Sequence, residues 1–338
     1  MTMTTRSNAK TRGARQLAGA LLRHMENRFA LLLGLWGAAI LVMSLLSPYF
    51  LQVSTIPYFL QYIPVLGLLG MGQTLVMIAG GPGIDISVGS AMSLAGVFLG
   101  WLLGPLDVPI VLACLACLAS GAALGFLNGT LVNVVGIPSL MATLATYFAF
   151  GGLALALTGG KPQTGFPESF AWIGAPGWLD IPNHVFAVFL PVAVVLHIGL
   201  SRTVVGRHIY ACGNNEKAAR LLGIKVDGIR LALYTLSGTL AGLAAIISAS
   251  WLMSASPEAG KGLELLSVTI AVLGGTHIFG GEGDIRGTVL AILIVTTLQT
   301  GLELAGISMA WQLGVIGGLM ILSVATTQAV RRRKAAGR

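Results

Sequence analysis

Few residues in this 338-residue chain have types and spacing suited to chemistry. Asp85 stands in "GGPGIDISVGS", Gly80 to Ser90, between two strongly apolar segments. A shorter version returns as "GGEGDIRG", Gly280 to Gly287, and brings Arg286. A carboxylate and a guanidinium in two similar turns suit an ion pair that closes and opens a passage. The plainer role for Asp85 is a cap: Pro82 ends one helix, Gly83 frees the backbone, and the carboxylate accepts from the first N–H groups of the next. Catalysis has no such support. His24, His184, His197, His208 and His277 are scattered, and no H-E-x-x-H or nucleophile–base pair occurs. No G-x-x-x-x-G-K-[ST] loop is present to cradle a nucleotide. "CLAC" (Cys114, Cys117) lacks further ligands and lies in bilayer-like sequence, so it reads as small packing residues, and no metal site is expected.

The strongest local signal is the basic stretch "GRHIYACGNNEKAARLLGIKVDGIR". Asn214 or Asn215 suits the cap of a short helix, "EKAARLL", and Gly223 suits its end. Ala218, Leu221 and Leu222 offer an apolar patch, with Glu216 and Arg220 placed to orient it through charge-assisted hydrogen bonds to a partner. Docking into another protein's groove and resting on lipid headgroups both fit this pattern. Neutral polar groups inside apolar runs suit either an uncharged polyol passing through or helix–helix hydrogen bonds. Gln73, Asn128, Thr143 and Gln299 are pathway candidates of this kind, with Asp85, Ser87 and Arg286 as gate candidates.

The elements that must carry these residues are membrane helices. Hydrophobic residues make up 55% of the chain and charged ones 9%, and mean hydropathy is +0.85. Soluble domains carry about 25% charged residues. The apolar runs are continuous rather than alternating, which predicts an all-α polytopic membrane protein and excludes a barrel. The spacing predicts about ten transmembrane helices near 29–47, 57–79, 86–104, 108–133, 138–158, 184–200, 229–253, 264–276, 288–305 and 309–328.

The net charge of +8 comes from clusters in the N-terminal tail, around the loop at 201–228, and at the C-terminus. Clusters that flank apolar spans set orientation rather than bind nucleic acid. They place both termini and the 201–228 loop in the cytoplasm. The expected organisation is a basic tail at 1–28, one membrane domain at 29–328 and a basic tail at 329–338. A loop poor in Lys and Arg at 159–183 then faces the periplasm, and its Trp172 and Trp178 suit an interfacial belt. Asp85 falls near the cytoplasmic interface on this topology. The first apolar run, too long for a signal peptide's core and lacking its cleavage site, reads as a retained helix. Gly121, Gly125 and Gly129 share one helix face, and "GTLAG" repeats the spacing with Gly238 and Gly242, as close helix packing requires.

Against this background "GIDISVGS" resembles the Gly-Ile-Asp-Leu-Ser-Val-Gly signature of inner-membrane permeases of bacterial ABC importers. The type is that for ribose, xylose, galactose, rhamnose and autoinducer-2, related to the branched-chain amino acid permeases. The basic stretch is similar to that family's cytoplasmic segment at Gly206, Arg207, Ala211, Gly213, Asn215, Ala218, Ala219, Arg220, Gly223 and Ile224. "NGTLV…GIPSLMATLATY" and "VLGGTHIFGGEGDIRGT…TGLELAGIS" match two further blocks, so the resemblance runs over residues 30–328.

It implies a permease without catalytic residues that pairs with an identical or sister permease. Two ATP-binding subunits would dock on the cytoplasmic loops, and a periplasmic substrate-binding protein would deliver a sugar or sugar-like solute. ATP and magnesium would sit on the partner subunits, with no cofactor on this chain. Pro82-Gly83 looks inserted, Ser139 replaces a usual Phe, Glu282 stands where a basic residue is common, and Asn214 replaces a glycine. These departures bear on the substrate more than on the class. A secondary transporter or channel without ATPase partners is the competing class, and a membrane enzyme the third.

Overall fold

A computed structural model describes residues 29–321 except Pro82, Met309, Leu313 and Met320. The basic tails, the expected helix-ending Pro82 and the last part of the 309–328 run lie outside the described residues. The order is α1 (Phe29–Leu46), α2 (Thr55–Ile78), α3 (Val88–Leu103), α4 (Ile110–Asn133), α5 (Ser139–Thr158) and α6 (Val185–Arg202). Then come α7 (Val204–Asn214), α8 (Glu216–Leu221), α9 (Val226–Leu252), α10 (Leu263–Leu273), α11 (Ile285–Leu304) and α12 (Ala310–Leu319). Among the described residues strand-like pairing is limited to two isolated bridges, Gln163 with Ala255 and Pro176 with Pro182.

Seven helices, α1, α2, α4, α5, α6, α9 and α11, are long and apolar enough to cross a bilayer. Helices α2, α9 and α11 form the centre. Every residue of α2 from Ile63 to Ile78 is buried, as expected of a helix apolar all round. Around them α4 buries one stripe, Ala113, Cys117, Gly121, Gly125, Asn128 and Gly129, and exposes Val111, Leu112, Leu115 and Phe126 on the face that meets lipid. The glycine stripe packs as its spacing predicts. A Cβ on Gly238 of α9 would strike the Gly121 carbonyl and come within 2.7 Å of the Gly125 nitrogen. Cys117 completes the seam, its Sγ 3.4 Å from the Ala95 carbonyl and 3.5 Å from that of Gly242.

The expected crossings at 86–104 and 264–276 are shorter than a crossing. At 1.5 Å per residue, α3 (16 residues) and α10 (11 residues) rise about 24 and 16 Å, against a hydrocarbon core of about 30 Å. Each follows a non-helical stretch, the described residues of 80–87 before α3 and "SASPEAGKG" before α10. Hydropathy does not separate a full crossing from a short helix with a buried lead-in. Glycine, proline and the Asp/Ser turn formers do, because they leave the helical backbone. The third short helix, α12, covers the described part of the last expected span.

Candidate functional site

At one end of the bundle α7 and α8 form a compact cap. Thr203 begins α7 by accepting from the Gly206 N–H at 3.1 Å. A side chain at Gly206 would collide with the Leu200 carbonyl, so glycine permits the tight turn out of α6. Asn215, rather than Asn214, caps α8, its Oδ1 accepting from the Ala218 N–H at 3.1 Å. Gly223, at φ +78°, closes α8, and the Ile224 N–H returns to the Ala219 carbonyl at 3.1 Å. Ala219 is buried with Cys212 and Val226, which seats α8 on α7 and α9. Ala218 is half-buried, Arg207 is exposed, and Leu221 and Leu222 stand 89% and 79% exposed at the tip.

Glu216 and Arg220 are engaged within the chain, not held free for a partner. Arg220 donates to Glu216 Oε1 at 2.9 Å and to Asp227 Oδ2 at 2.8 Å, while Arg230 donates to Glu216 Oε2 at 2.9 Å. Burial pushes the Glu216 carboxyl upward, but the two guanidinium groups outweigh it and hold its pKa below the ordinary value. The groups expected to orient a partner thus also pair with each other within the chain. Their charges already satisfy each other and brace α8 against the start of α9.

The same cap grips both glycine turns. Arg230 reaches the Ala79 carbonyl at 3.3 Å through Nε. Asn214 donates to the Tyr210 carbonyl at 2.9 Å and faces that of Gly281 at 3.4 Å. Tyr210 donates to the Gly283 carbonyl at 2.7 Å, and the Gly281 N–H to the Ile78 carbonyl at 2.9 Å. Gly80 (φ +75°) and Gly280 (φ +92°) touch back to back, and a Cβ on Gly80 would lie 2.9 Å from Gly213 Cα. The echo between the two turns is therefore a contact in space.

From the first turn the chain runs inward to Asp85, which is 2% exposed. It is enclosed by the surrounding helices rather than open to solvent. Asp85 Oδ1 accepts from the Ser87 N–H at 2.9 Å and the Ser87 hydroxyl at 2.7 Å, and Asn128 donates to Ser87 Oγ. This is a local Asx turn ahead of α3, whose own N-cap, Ser87, makes no side-chain cap bond. Gln73, with its amide oriented to satisfy both ends, donates to the Asp85 carbonyl at 3.0 Å and accepts from the Asp85 N–H at 3.2 Å. Thr143 accepts from the Ile86 N–H at 3.2 Å. Side chains of α2 and α5 thereby satisfy non-helical backbone inside an apolar bundle, as such backbone requires, while Asn128 of α4 bonds the Ser87 hydroxyl.

Five of the pathway candidates, Gln73, Asp85, Ser87, Asn128 and Thr143, thus converge. Arg286 and Gln299 stay apart. Arg286 donates to Asp284 Oδ2 at 2.9 Å and lies 5.1 Å from the Phe29 ring centre, while Gln299 is half-buried on α11. The expected Asp85–Arg286 pair is not formed. The carboxylate beside Arg286 is its turn neighbour Asp284, two residues away, and Asp85 has been carried inward past the end of α2.

Sequence reasoning missed Arg230 as the link between α8 and α2. It also missed Glu264, which stands at the first position of an expected span and is buried. The available signal for Glu264 was a carboxylate in an otherwise apolar run. Among the described residues no group of His, Cys, Asp and Glu side chains is arranged to hold a metal ion.

Known proteins give this geometry its context. The family model described as branched-chain amino acid transport system / permease component matches residues 55–324. The chain is 38% identical over 319 residues to the ribose import permease protein RbsC of Escherichia coli (strain K12), covering 92% of this chain and 96% of that one. It is 38% identical to the Bacillus subtilis (strain 168) ribose import permease, covering 84% of this chain and 88% of that one. Against the autoinducer 2 import system permease protein LsrC of Escherichia coli (strain K12 / DH10B) it is 37% identical, covering 82% and 80%. The chain therefore belongs to the branched-chain amino acid transport system permease-component family, as a multi-pass inner-membrane permease of an ABC importer.

Proposed function

We propose that this permease carries a sugar or sugar-like neutral solute inward, and that α8 receives the force of ATP binding and hydrolysis on separate subunits. The observation that carries the reading is the braced α8. It is capped by Asn215, ended by Gly223, and held by Glu216, Arg220, Asp227 and Arg230, yet it presents Leu221 and Leu222 outward. An exposed leucine pair on a rigid, charge-braced tip suits a groove in a partner protein better than a lipid surface. A small contact transmits displacement only when its support is stiff. Here the support leads through Arg230 to the end of α2 and through Asn214 to the turn before α11.

In this reading two ATP-binding subunits, holding ATP and magnesium, engage two permeases, identical or sister chains, and a periplasmic binding protein supplies the solute. Ten helices lie in the membrane region, seven of them long enough to cross it, with both termini and α8 cytoplasmic and the 159–183 loop periplasmic. The chain itself performs no covalent chemistry. The relatives named for ribose and autoinducer 2 import, and the scarcity of ionisable side chains in the bundle, support a neutral hydroxylated solute. Co-purification tests the class: a stable complex with an ATP-binding subunit is expected, and uptake by the permease alone, driven by an ion gradient, would overturn it.

A further inference from the structure

Among the described residues the bundle buries one carboxylate besides Asp85. Glu264, near the start of α10, is 6% exposed. Its Oε1 accepts from the Gly262 N–H at 3.1 Å, while Oε2 is sealed from solvent with no hydrogen-bond partner. That oxygen is aimed at the start of α3: a Cβ on Gly89 would lie 2.5 Å from it. Beside it the backbones of Gly89 and Gly260 touch, so that a side chain on either would strike the other's carbonyl. Ser93 accepts from the Gly260 N–H at 2.9 Å, and Ser267 donates to the Glu264 carbonyl at 2.7 Å.

The depth of this seam follows from helix rise. Gly89 lies 15 residues, about 22 Å, below Gly104 at the periplasmic end of α3. Gly262 lies about 16 Å from the cytoplasmic end of α10, so the seam lies within a core about 30 Å thick, away from both faces. Just before it, Glu258 and Lys261 form an ion pair at 2.6 Å with side chains 52% and 67% exposed. An exposed ion pair approaching that depth borders water, not lipid. Such a pair fits an aqueous route along the segment before α10, which the Gly89–Gly260 contact would shut.

We infer that Glu264 is a recognition carboxylate on the translocation route, whose Oε2 accepts a hydrogen bond from a hydroxyl of a neutral polyhydroxylated solute when α3 and the segment before α10 part. The inference rests on the permease reading above. The ligand class follows from the surroundings. Two helix N-termini converge here without side-chain caps, and their positive ends offset the carboxylate's charge. A cation entering would face those positive ends, and an anion would face the carboxylate. A hydroxyl donor meets the free oxygen without either conflict.

The test is the ratio of sugar taken up to ATP hydrolysed. The complete importer is reconstituted in proteoliposomes with its ATP-binding subunits and binding protein, with labelled D-ribose as the probe. Glu264→Gln keeps the shape and one acceptor for Gly262, but presents an amide donor where the solute needs an acceptor. Uptake is expected to fall roughly tenfold, while ATP hydrolysis stimulated by the loaded binding protein stays within about twofold. Glu264→Leu should show the same split or a larger one. An unchanged ratio in both variants overturns the inference, and so does a parallel loss of uptake and ATP hydrolysis in Glu264→Gln, which would mark Glu264 as structural. If Glu264→Leu does not assemble, the Gln variant decides alone. Failure of the parent importer to take up D-ribose would instead strike the ribose-type reading, and the inference with it.

Discussion

Arg230 and Glu216 are joined across 2.9 Å, and the same guanidinium reaches the Ala79 carbonyl at 3.3 Å. One side chain therefore connects the exposed tip of α8 to the last turn of α2, where the chain leaves the helix for the buried Asp85 segment. The Arg230 side chain is 12% exposed, so its bonds are shielded from competing water.

Replacing Arg230 with Gln should separate ATP hydrolysis from transport. Arg220 still braces Glu216, so α8 keeps its shape and its partner. The Ala79 carbonyl loses a charged donor, worth about 1.5–3 kcal/mol in such settings. Solute moved per ATP is expected to drop roughly tenfold, with ATP hydrolysis retained. Equal loss of both would contradict a relay role.

The brace also has a pH limit. The folded-state pKa of Glu216 lies below its ordinary value of 4.5, so the stability it contributes is present above pH 4.5 and is lost as pH falls through the depressed value. Protease protection of α8 should be constant from about pH 6 to 8 and decline only below about pH 4.5. In Glu216→Gln that acid-dependent decline should shrink to the part contributed by Asp227, whose carboxyl the Arg220 guanidinium also holds below its ordinary value.

The glycine seam between α4 and α9 sets the close approach of those helices. Gly238→Ala forces a methyl group against the Gly121 carbonyl and the Gly125 nitrogen, and should destabilise the bundle by about 1–3 kcal/mol. The midpoint of thermal unfolding in detergent measures it. Gly199→Ala, inside α6 where nothing lies within 4 Å of the new methyl group, should leave the midpoint unchanged or raise it slightly.

Topology is open to labelling. Glu168 and Lys217 are exposed at opposite ends of the bundle. A cysteine at Glu168 should react with an impermeant maleimide added to spheroplasts, and one at Lys217 only in inside-out vesicles. The reverse pattern would invert the proposed orientation.

The sequence made the helical class, the glycine seam and the cap and stop of α8 legible, because each rests on local spacing. Asn215 and Gly223 act on neighbours within a few residues, and Gly121, Gly125 and Gly129 are displayed on one face by helix geometry alone. Asp85 shows where such reading ends. Its Asx turn is local and visible in "GIDIS", but its burial depends on Gln73, Asn128 and Thr143 from helices distant in sequence. The Asp85–Arg286 pairing failed for a related reason. Two similar turns do meet, through Gly80 and Gly280, yet the carboxylate that faces Arg286 belongs to its own turn. Arg230 and Glu264 gain their roles from contacts to residues distant in sequence, which no motif announces.

The central claim is that α8 is the element through which ATP binding and hydrolysis reach the membrane bundle. Ala218→Asp tests it most directly, because a carboxylate beside Leu221 and Leu222 would be buried unpaired in the docked contact, at a cost of several kcal/mol. Ala218 is only half-buried within the chain, so the variant should fold and reach the membrane. Substrate-stimulated ATP hydrolysis and solute uptake are measured together in the reconstituted importer. The account predicts that both are lost in Ala218→Asp while the amount of membrane-inserted permease is unchanged. ATP hydrolysis coupled to uptake at the parent's level would show that α8 is a surface helix and contradict the account.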